Sequence, residues 1–263
     1  MIKDFVNILM SASKEASDAI LRIYQSNFEV EIKSDNSPVT EADKLSSKII
    51  VRHLETTKIP VISEEEDKLE YEKRKNLPYI WLVDPIDGTK EFVKKTGQFC
   101  ISIALIQNGK PVLGFIADPL NQIAIYGGKG IGAFKTPYSA DSLFDKKWEI
   151  KQLESATKKV ILHSNGGFSG SVVKFVRKLE EKFGNLEVVK KGSALKFFDL
   201  VEGNADFYVR LAPTMEWDIS AGQAIYEAVG GEVIHFETRK PLTYNKPQLK
   251  NPYFIAKRKH LKI

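Results

Sequence analysis

The stretch Trp81, Leu82, Val83, Asp84, Pro85, Ile86, Asp87, Gly88, Thr89 constrains this chain more than any other, because an apolar run delivers two carboxylates into a turn. Residues 79–83 are aromatic or aliphatic and uncharged, which predicts a buried strand, and Pro85 and Gly88 mark the turn that ends it. Asp84 and Asp87 are then held at a rigid edge. Carboxylate oxygens select hard cations such as Mg²⁺, which take few protein ligands and leave places for water and substrate phosphate. Asp-Pro and Asp-Gly also occur as plain turn dipeptides, in which the Asp only bonds nearby backbone. A second edge of the same kind weighs toward a site: Val61 and Ile62 lead from Pro60 into Ser63, Glu64, Glu65, Glu66 and Asp67.

Two further acids stand at predicted helix starts. Asp218 precedes Ile219, Ala221, Ala224, Ile225, Ala228 and Val229, an apolar stripe at helical spacing that Gly230 and Gly231 terminate. An Asp there caps the helix, and the positive helix end both keeps it ionised and attracts phosphate. Thr40 and Asp43 have capping-box spacing ahead of Leu45, Ile49, Ile50 and Leu54. The functional alternative is that Asp43 accepts a proton from Thr89 or from an attacking water.

Taken together, these residues resemble the lithium-sensitive, Mg²⁺-dependent phosphomonoesterases that include inositol monophosphatase, fructose bisphosphatase and the 3′(2′),5′-bisphosphate nucleotidases. The first motif is Asp84-Pro85-Ile86-Asp87-Gly88-Thr89 after a strand, and the second is Trp217-Asp218 opening a helix that ends in Gly230-Gly231. The resemblance covers almost the whole chain. It implies that Glu64, Asp84 and the backbone carbonyl of Ile86 hold one Mg²⁺ and that Asp84, Asp87 and Asp218 hold a second. A third, weakly held ion near Glu64 or Glu65 occurs in the family. Gly88 and Thr89 are implied contacts of the phosphate being removed.

Thr89 is followed by Lys90, Glu91 and Phe92, a continuation similar to the CysQ-type bisphosphate nucleotidases. Gly192, Ser193, Ala194, Leu195, Lys196, Phe197 and then Phe207, Tyr208, Val209, Arg210 resemble that subgroup's segments for the second phosphate of the nucleotide. Ser193, Lys196 and Arg210 carry over as substrate contacts, and fixed cations suit that task because Arg grips phosphate with two hydrogen bonds. Where the subgroup often shows Ser-Arg-Ser-His, this chain reads His163, Ser164, Asn165, Gly166, Gly167, Phe168. His163 and Ser164 are the candidates to face the nucleotide, although a lone histidine after an apolar run such as 160–162 is more often a structural residue.

The implied reaction is removal of the 3′-phosphate from 3′-phosphoadenosine 5′-phosphate, leaving AMP, by metal-activated water in direct in-line attack. Asp43, Glu64 and Thr89 are the candidate catalytic residues, with either Glu64 or the Thr89–Asp43 pair orienting or deprotonating the water. The alternatives are an inositol or sugar phosphatase with the same chemistry, and a protein that keeps the fold but binds RNA or a transcription complex. Cys100 sits in the apolar run 99–104 and reads as a packing residue rather than a nucleophile.

At 263 residues and 43% hydrophobic content the chain can bury a substantial core. It has no apolar run near the ~20 residues of a membrane span, and its start lacks a signal-peptide apolar region. One cysteine excludes an intrachain disulfide, and the expected location is the cytoplasm. The net charge is +5, with Lys146, Lys147, Lys151, Lys158 and Lys159 clustered mid-chain. Lys257, Arg258, Lys259, His260 and Lys262 form a basic tail that offers a contact for the inner membrane face. Aromatic residues are not interleaved with these charges, which argues against a nucleic-acid surface.

Helices are predicted near 2–25 and 40–57, followed by strands near 79–84, 99–107, 110–118 and 122–127. Asn108-Gly109 is a hairpin turn. The glycines at 127, 128, 130 and 132 read as a turn between strands, and a charged stretch near 137–157 as a link between halves. Strands near 159–163, 186–190, 206–210, 232–236 and 253–256 then alternate with helices near 169–183, 193–202 and 218–229. The expected fold is the family's layered α/β/α/β/α sandwich. Residues 1–140 form an N-terminal domain carrying most metal ligands, and 141–263 a C-terminal domain carrying Asp218 and the substrate contacts.

Overall fold

The computed structural model describes residues 2–34, 36–151, 159–164 and 170–263. Lys158 and the segment 165–168, both singled out above, lie outside the described residues. The chain opens with helix α1 (Ile2–Gln25), the hairpin strands β1 (Val30–Ile32) and β2 (Pro38–Thr40), helix α2 (Glu41–Glu55) and strand β3 (Val61–Ser63). A single turn, α3 (Tyr71–Arg74), precedes the long strand β4 (Tyr79–Asp87) and the short helix α4 (Thr89–Val93). A meander follows: β5 (Cys100–Gln107), β6 (Lys110–Asp118), β7 (Ile123–Gly128) and β8 (Gly132–Pro137). The second half runs β9 (Lys159–His163), α5 (Gly170–Phe183), β10 (Leu186–Lys190), α6 (Lys196–Val201), β11 (Phe207–Arg210), α7 (Glu216–Ala228), β12 (Gly231–His235) and β13 (Phe254–Arg258).

Two sheets organise these elements, one of order β3-β4-β5-β6-β7-β8 and one of order β10-β9-β11-β13-β12. In the first sheet β3 pairs parallel to β4 and every other pairing is antiparallel. Strand alternation assigns the layers. Trp81, Val83, Ile101 and Phe115 pack with α1 and α2 through Leu9, Ile20 and Ile50. Ile80, Leu82, Ala104 and Ile116, on the opposite face, pack with α6 and α7 through Phe197 and Ile225, and beyond them with Leu162, Phe254 and Ala256 of the second sheet. The far face of that sheet, Ile161, Phe207 and Ile255, is covered by Val172, Phe175 and Leu179 of α5. Helices, sheet, helices, sheet and helix therefore stack in five layers, the α/β/α/β/α sandwich expected from the sequence.

The Asn108-Gly109 turn forms as expected, with φ of 48° and 74° and Gln107 opposite Lys110. The 127–132 glycines connect β7 to β8, a strand the sequence reading did not include. The β1–β2 hairpin has no signal in the sequence, because the β1 residues are all exposed and leave no inward-outward pattern to read. The basic tail needs correction: Lys257 and Arg258 lie in β13 and are buried. Arg258 Nε is 2.9 Å from Asp206 Oδ1, Lys159 Nζ is 3.6 Å from the same oxygen, and Lys257 pairs with Glu232. Enclosed charges need partners of this kind, because an unpaired one costs several kcal/mol.

Helix α7 lies against the first sheet where β6 has Gly114, and a Cβ there would sit 2.0 Å from the carbonyl oxygen of Ala221. Backbone cannot yield by that much without moving the helix that carries Asp218. Gly114→Ala is expected to lower unfolding stability by about 3 kcal/mol or more, measured by urea denaturation.

Candidate active site

The carboxylates at the end of β4 share one side because the strand is irregular there. Asp84 pairs with Ser102 and Asp87 with Cys100, so Pro85 and Ile86 oppose Ile101 alone. In a regular strand residues three apart point to opposite faces, and the bulge cancels that alternation. Asp84 and Asp87 consequently line one cleft with Glu64, Thr89 and Asp218. One carboxylate oxygen from each of Glu64, Asp84 and Asp218 lies within 4.8 Å of the others. Asp87 sits beside that group, its Oδ2 accepting from the Ala194 N–H.

Each acid is placed by backbone that the sequence sets locally. Glu64 follows β3, and its N–H donates to Val83 O at 3.0 Å. Its Oε2 accepts from the Trp217 indole N–H at 3.1 Å and its Oε1 from Lys33 Nζ at 3.2 Å. Asp218 is not the N-cap of α7 that its sequence position suggests: the helix begins at Glu216, and Asp218 Oδ2 reaches back to accept from Met215 N at 2.8 Å. Asp43 divides its oxygens. Oδ2 accepts from the Thr40 N–H at 2.8 Å and its hydroxyl at 2.6 Å, the capping role, while Oδ1 accepts from Thr89 Oγ1 at 2.9 Å. The cap and the Thr89 contact therefore use different oxygens of the same carboxylate.

Next to the acids a cavity of about 230 Å³ is lined by Asp87, Ser193, Lys196, Tyr208, Arg210 and Asp218 among others. Ser164 is at its wall, and its Oγ accepts an N–H from Arg210 Nη1. Lys196 is buried, and its ammonium donates to the carbonyls of Ser193 at 2.5 Å and Lys191 at 3.2 Å. It thus fastens the 191–195 loop, from which Ala194 holds Asp87. His163 is buried in β9 with Nδ1 2.8 Å from Ser164 O and is not among the residues lining this cavity. Cys100 is fully buried, as expected of a packing residue.

Burial and mutual repulsion dominate the electrostatics. Asp84 is pushed well above the usual carboxylate range by burial, then by the charges of Glu64, Asp87 and Asp218. Asp218 is raised in the same way, by burial and then by Asp87. Asp87 rises to about 6 through burial, although Lys196 and the Ala194 N–H oppose the shift. Burial also raises Asp43 against the pull of Thr40 and Thr89, and lowers Lys196 to about 8 against the pull of Asp87. Crowded carboxylates in a partly dry cleft call for a compensating cation. An all-oxygen donor set of this kind fits Mg²⁺.

Several participants escaped the sequence reading. Lys33, in the turn between β1 and β2, bonds Glu65 Oε1 at 2.5 Å as well as Glu64. Gln98 Oε1 accepts from the Gly192 N–H at 2.6 Å and so helps to seat the same loop as Lys196. Neither stands out among the many lysines and polar residues of the chain. The Trp217 indole had a signal, its place beside Asp218, but its partner is 153 positions away.

The fold and the acid cluster define a class: a model of the inositol monophosphatase family matches residues 1–261, and the chain belongs to that family. The family is one of metal-dependent phosphatases. The chain is 35% identical to the 3′(2′),5′-bisphosphate nucleotidase CysQ of Shigella flexneri, over 92% of this chain and 95% of that protein. It is 36% identical to the Salmonella typhimurium protein of the same name, over the same shares. Among solved structures, CysQ from Bacteroides thetaiotaomicron matches with a TM-score of 0.85 at 35% identity, covering 97% of this chain and 98% of that one. The suhB protein of Bartonella henselae, at 23% identity and a TM-score of 0.77 over 98% and 95% of the two chains, shares the fold.

Without a cation, carboxyls whose folded values exceed their unfolded ones contribute stability only while protonated, and that contribution is lost as pH rises through about 6 for Asp87. Mg²⁺ binds the ionised form and so offsets the loss. The rise in Tm on adding Mg²⁺ is therefore expected to be larger near pH 8 than near pH 5, measured by differential scanning calorimetry.

Proposed function

We propose that this protein is a Mg²⁺-dependent 3′(2′),5′-bisphosphate nucleotidase that converts 3′-phosphoadenosine 5′-phosphate and water to AMP and inorganic phosphate. The observation that carries the reading is the adjacency of two environments in one cleft. Asp87 and Asp218 border both the acid cluster and the cavity that ends on Lys196 and Arg210. A substrate with one phosphate to lose and a second to be held by the Arg210 guanidinium matches that arrangement. The nucleotidase names of relatives at 35–36% identity support the same substrate class.

Glu64, Asp84, Asp87, Asp218 and the Ile86 carbonyl would hold the metal, two ions in this reading. When bound, Mg²⁺ supplies positive charge that makes water a better nucleophile and steadies the leaving ester oxygen. The chain's own groups do the rest. Gly88 and Thr89 receive the phosphate being removed. Thr89 Oγ1 donates to Asp43 Oδ1 at 2.9 Å, with the Ile86 carbonyl farther off at 3.2 Å, and in this reading its oxygen accepts a proton from the attacking water while Asp43 takes the hydroxyl proton in turn. Glu64 has one oxygen on Trp217 and the other on Lys33, which makes it an orienting group and leaves the base role to the Thr89–Asp43 pair. Arg210 and Ser164, with Ser193 on the loop fastened by Lys196, hold the 5′-phosphate. His163 orients Ser164 from behind.

We also read residues 1–140 and 141–263 as two lobes meeting at this cleft, and the enzyme as cytoplasmic. No helix of the described residues is long and apolar enough to cross a membrane. Lys259, His260 and Lys262 remain as the basic surface for any contact with a membrane face.

Phosphate release from 3′-phosphoadenosine 5′-phosphate, inositol 1-phosphate and fructose 1,6-bisphosphate, with and without Mg²⁺, tests the reading. A Mg²⁺-dependent preference for the nucleotide is the expected result, and equal turnover of all three overturns the substrate assignment. Asp87→Asn and Asp218→Asn are expected to abolish turnover with far-UV circular dichroism unchanged. Arg210→Ala should raise KM for the bisphosphate about 10- to 100-fold, the loss of one charge-assisted pair, and affect a nucleoside monophosphate far less.

A further inference from the structure

The chain that follows Glu64 and the start of α7 are also joined through residues that line neither cavity of the site and have no part in the chemistry above. Arg74, the last residue of α3, is buried, which an arginine tolerates only with partners. Its Nε donates to Leu69 O at 3.0 Å within its own segment. Nη1 donates to Asn245 Oδ1 at 2.6 Å, and Nη2 to the carbonyls of Lys246 at 2.8 Å and Pro247 at 3.1 Å. Asn245, held in the left-handed region at φ 62°, returns its Nδ2–H to Arg74 O at 2.9 Å. The backbone N–H groups of Asn245 and Lys246 then donate to the Glu216 carboxylate at 2.6 and 3.1 Å, and Lys246 Nζ pairs with it. Glu216 is fully enclosed, is the first residue of α7 and lies two positions before Asp218.

We propose that Arg74, Asn245 and Glu216 form a clamp that sets the spacing between Glu64 and Asp218 and thereby the affinity of the acid cluster for Mg²⁺. The inference rests on the reading of that cluster as the metal site. Repulsion among Glu64, Asp84 and Asp218 favours spreading the two segments whenever no cation lies between them. A site that spreads must be drawn together again on binding, and that reorganisation weakens affinity, whereas a braced site avoids it. At the front of the cleft only the Trp217 indole on Glu64 spans the same gap, among the hydrogen bonds described. The planar guanidinium suits this link because it presents rigidly spaced donors at once to its own segment and to residues 245–247, which in turn hold Glu216. These are positioning residues, and none lines either cavity.

Calorimetric titration of the full-length, metal-stripped protein with Mg²⁺ tests the clamp in Arg74→Met, Arg74→Lys and Asn245→Gly. Glycine keeps the left-handed backbone and removes only the side chain, so that variant perturbs folding least. The Mg²⁺ Kd is expected to rise about 10-fold or more in Arg74→Met and Asn245→Gly, and less in Arg74→Lys. At saturating Mg²⁺, kcat should return to within about two-fold of wild type, as preorganisation requires. Ile255→Val, a core change in the far sheet, should lower Tm and leave the Mg²⁺ Kd unchanged. Folded Arg74→Met and Asn245→Gly that bind Mg²⁺ like wild type overturn the clamp alone, as does an equal weakening in Ile255→Val. A wild-type protein that takes up no Mg²⁺ overturns the clamp and the metal-site reading together.

Discussion

Mutual repulsion among carboxylates that the fold forces together is the constraint around which this molecule is arranged. Oxygens of Glu64, Asp84 and Asp218 lie within 4.8 Å of one another, with Asp84 buried. Each of these charges is costly to remove from water, and each raises the cost of ionising the next. The group persists because two hydrophobic layers hold its carriers. Asp84 rides on a strand flanked on both faces by core, and Asp218 on a helix wedged between the two sheets. The energy of apolar burial is what keeps an arrangement that electrostatics alone would disperse.

The same constraint explains the company the acids keep. Donors hold one oxygen of each: the Trp217 indole on Glu64 and the Ala194 N–H on Asp87 come from distant segments, and the Met215 N–H on Asp218 from the start of the same helix. Each donor stabilises the charged form and fixes a direction for the oxygen it does not occupy. Cations are kept at a graded distance. Lys33 touches Glu64 and Glu65 at the mouth of the cleft. Lys196 is spent on backbone carbonyls, and its charge acts on Asp87 through space. Neither lysine contacts Asp84 or Asp218 among the described residues.

Legibility in the sequence followed burial. Elements with a one-sided or fully apolar pattern, such as α1, β4, β5 and α7, were readable because core packing imposes their period. The β1–β2 hairpin was not, since its first strand faces solvent throughout. Nor was the place of Lys257 and Arg258 in a buried strand, because charged residues read as surface until Glu232 and Asp206 are seen beside them. In the site, the motif acids were legible from strand ends and helix starts. His163 shows the limit of that approach: its neighbour Ser164 reaches the cavity and the ring itself does not.

The amino-acid sequence by itself determined which groups are available: the acids at Glu64, Asp84, Asp87 and Asp218, the Thr40–Asp43 cap, and the cations Lys196 and Arg210. It determined most strands and helices as well, because local periodicity and turn chemistry act over a few residues. Only the tertiary structure decided which way those groups point. The bulge in β4 turns Asp84 and Asp87 to one side, and Asp43 reaches Thr89 across 46 positions. Trp217 meets Glu64 across 153 positions, and Arg74 meets Asn245 across 171. Contacts at such separations arise when layers pack, so no local pattern encodes them.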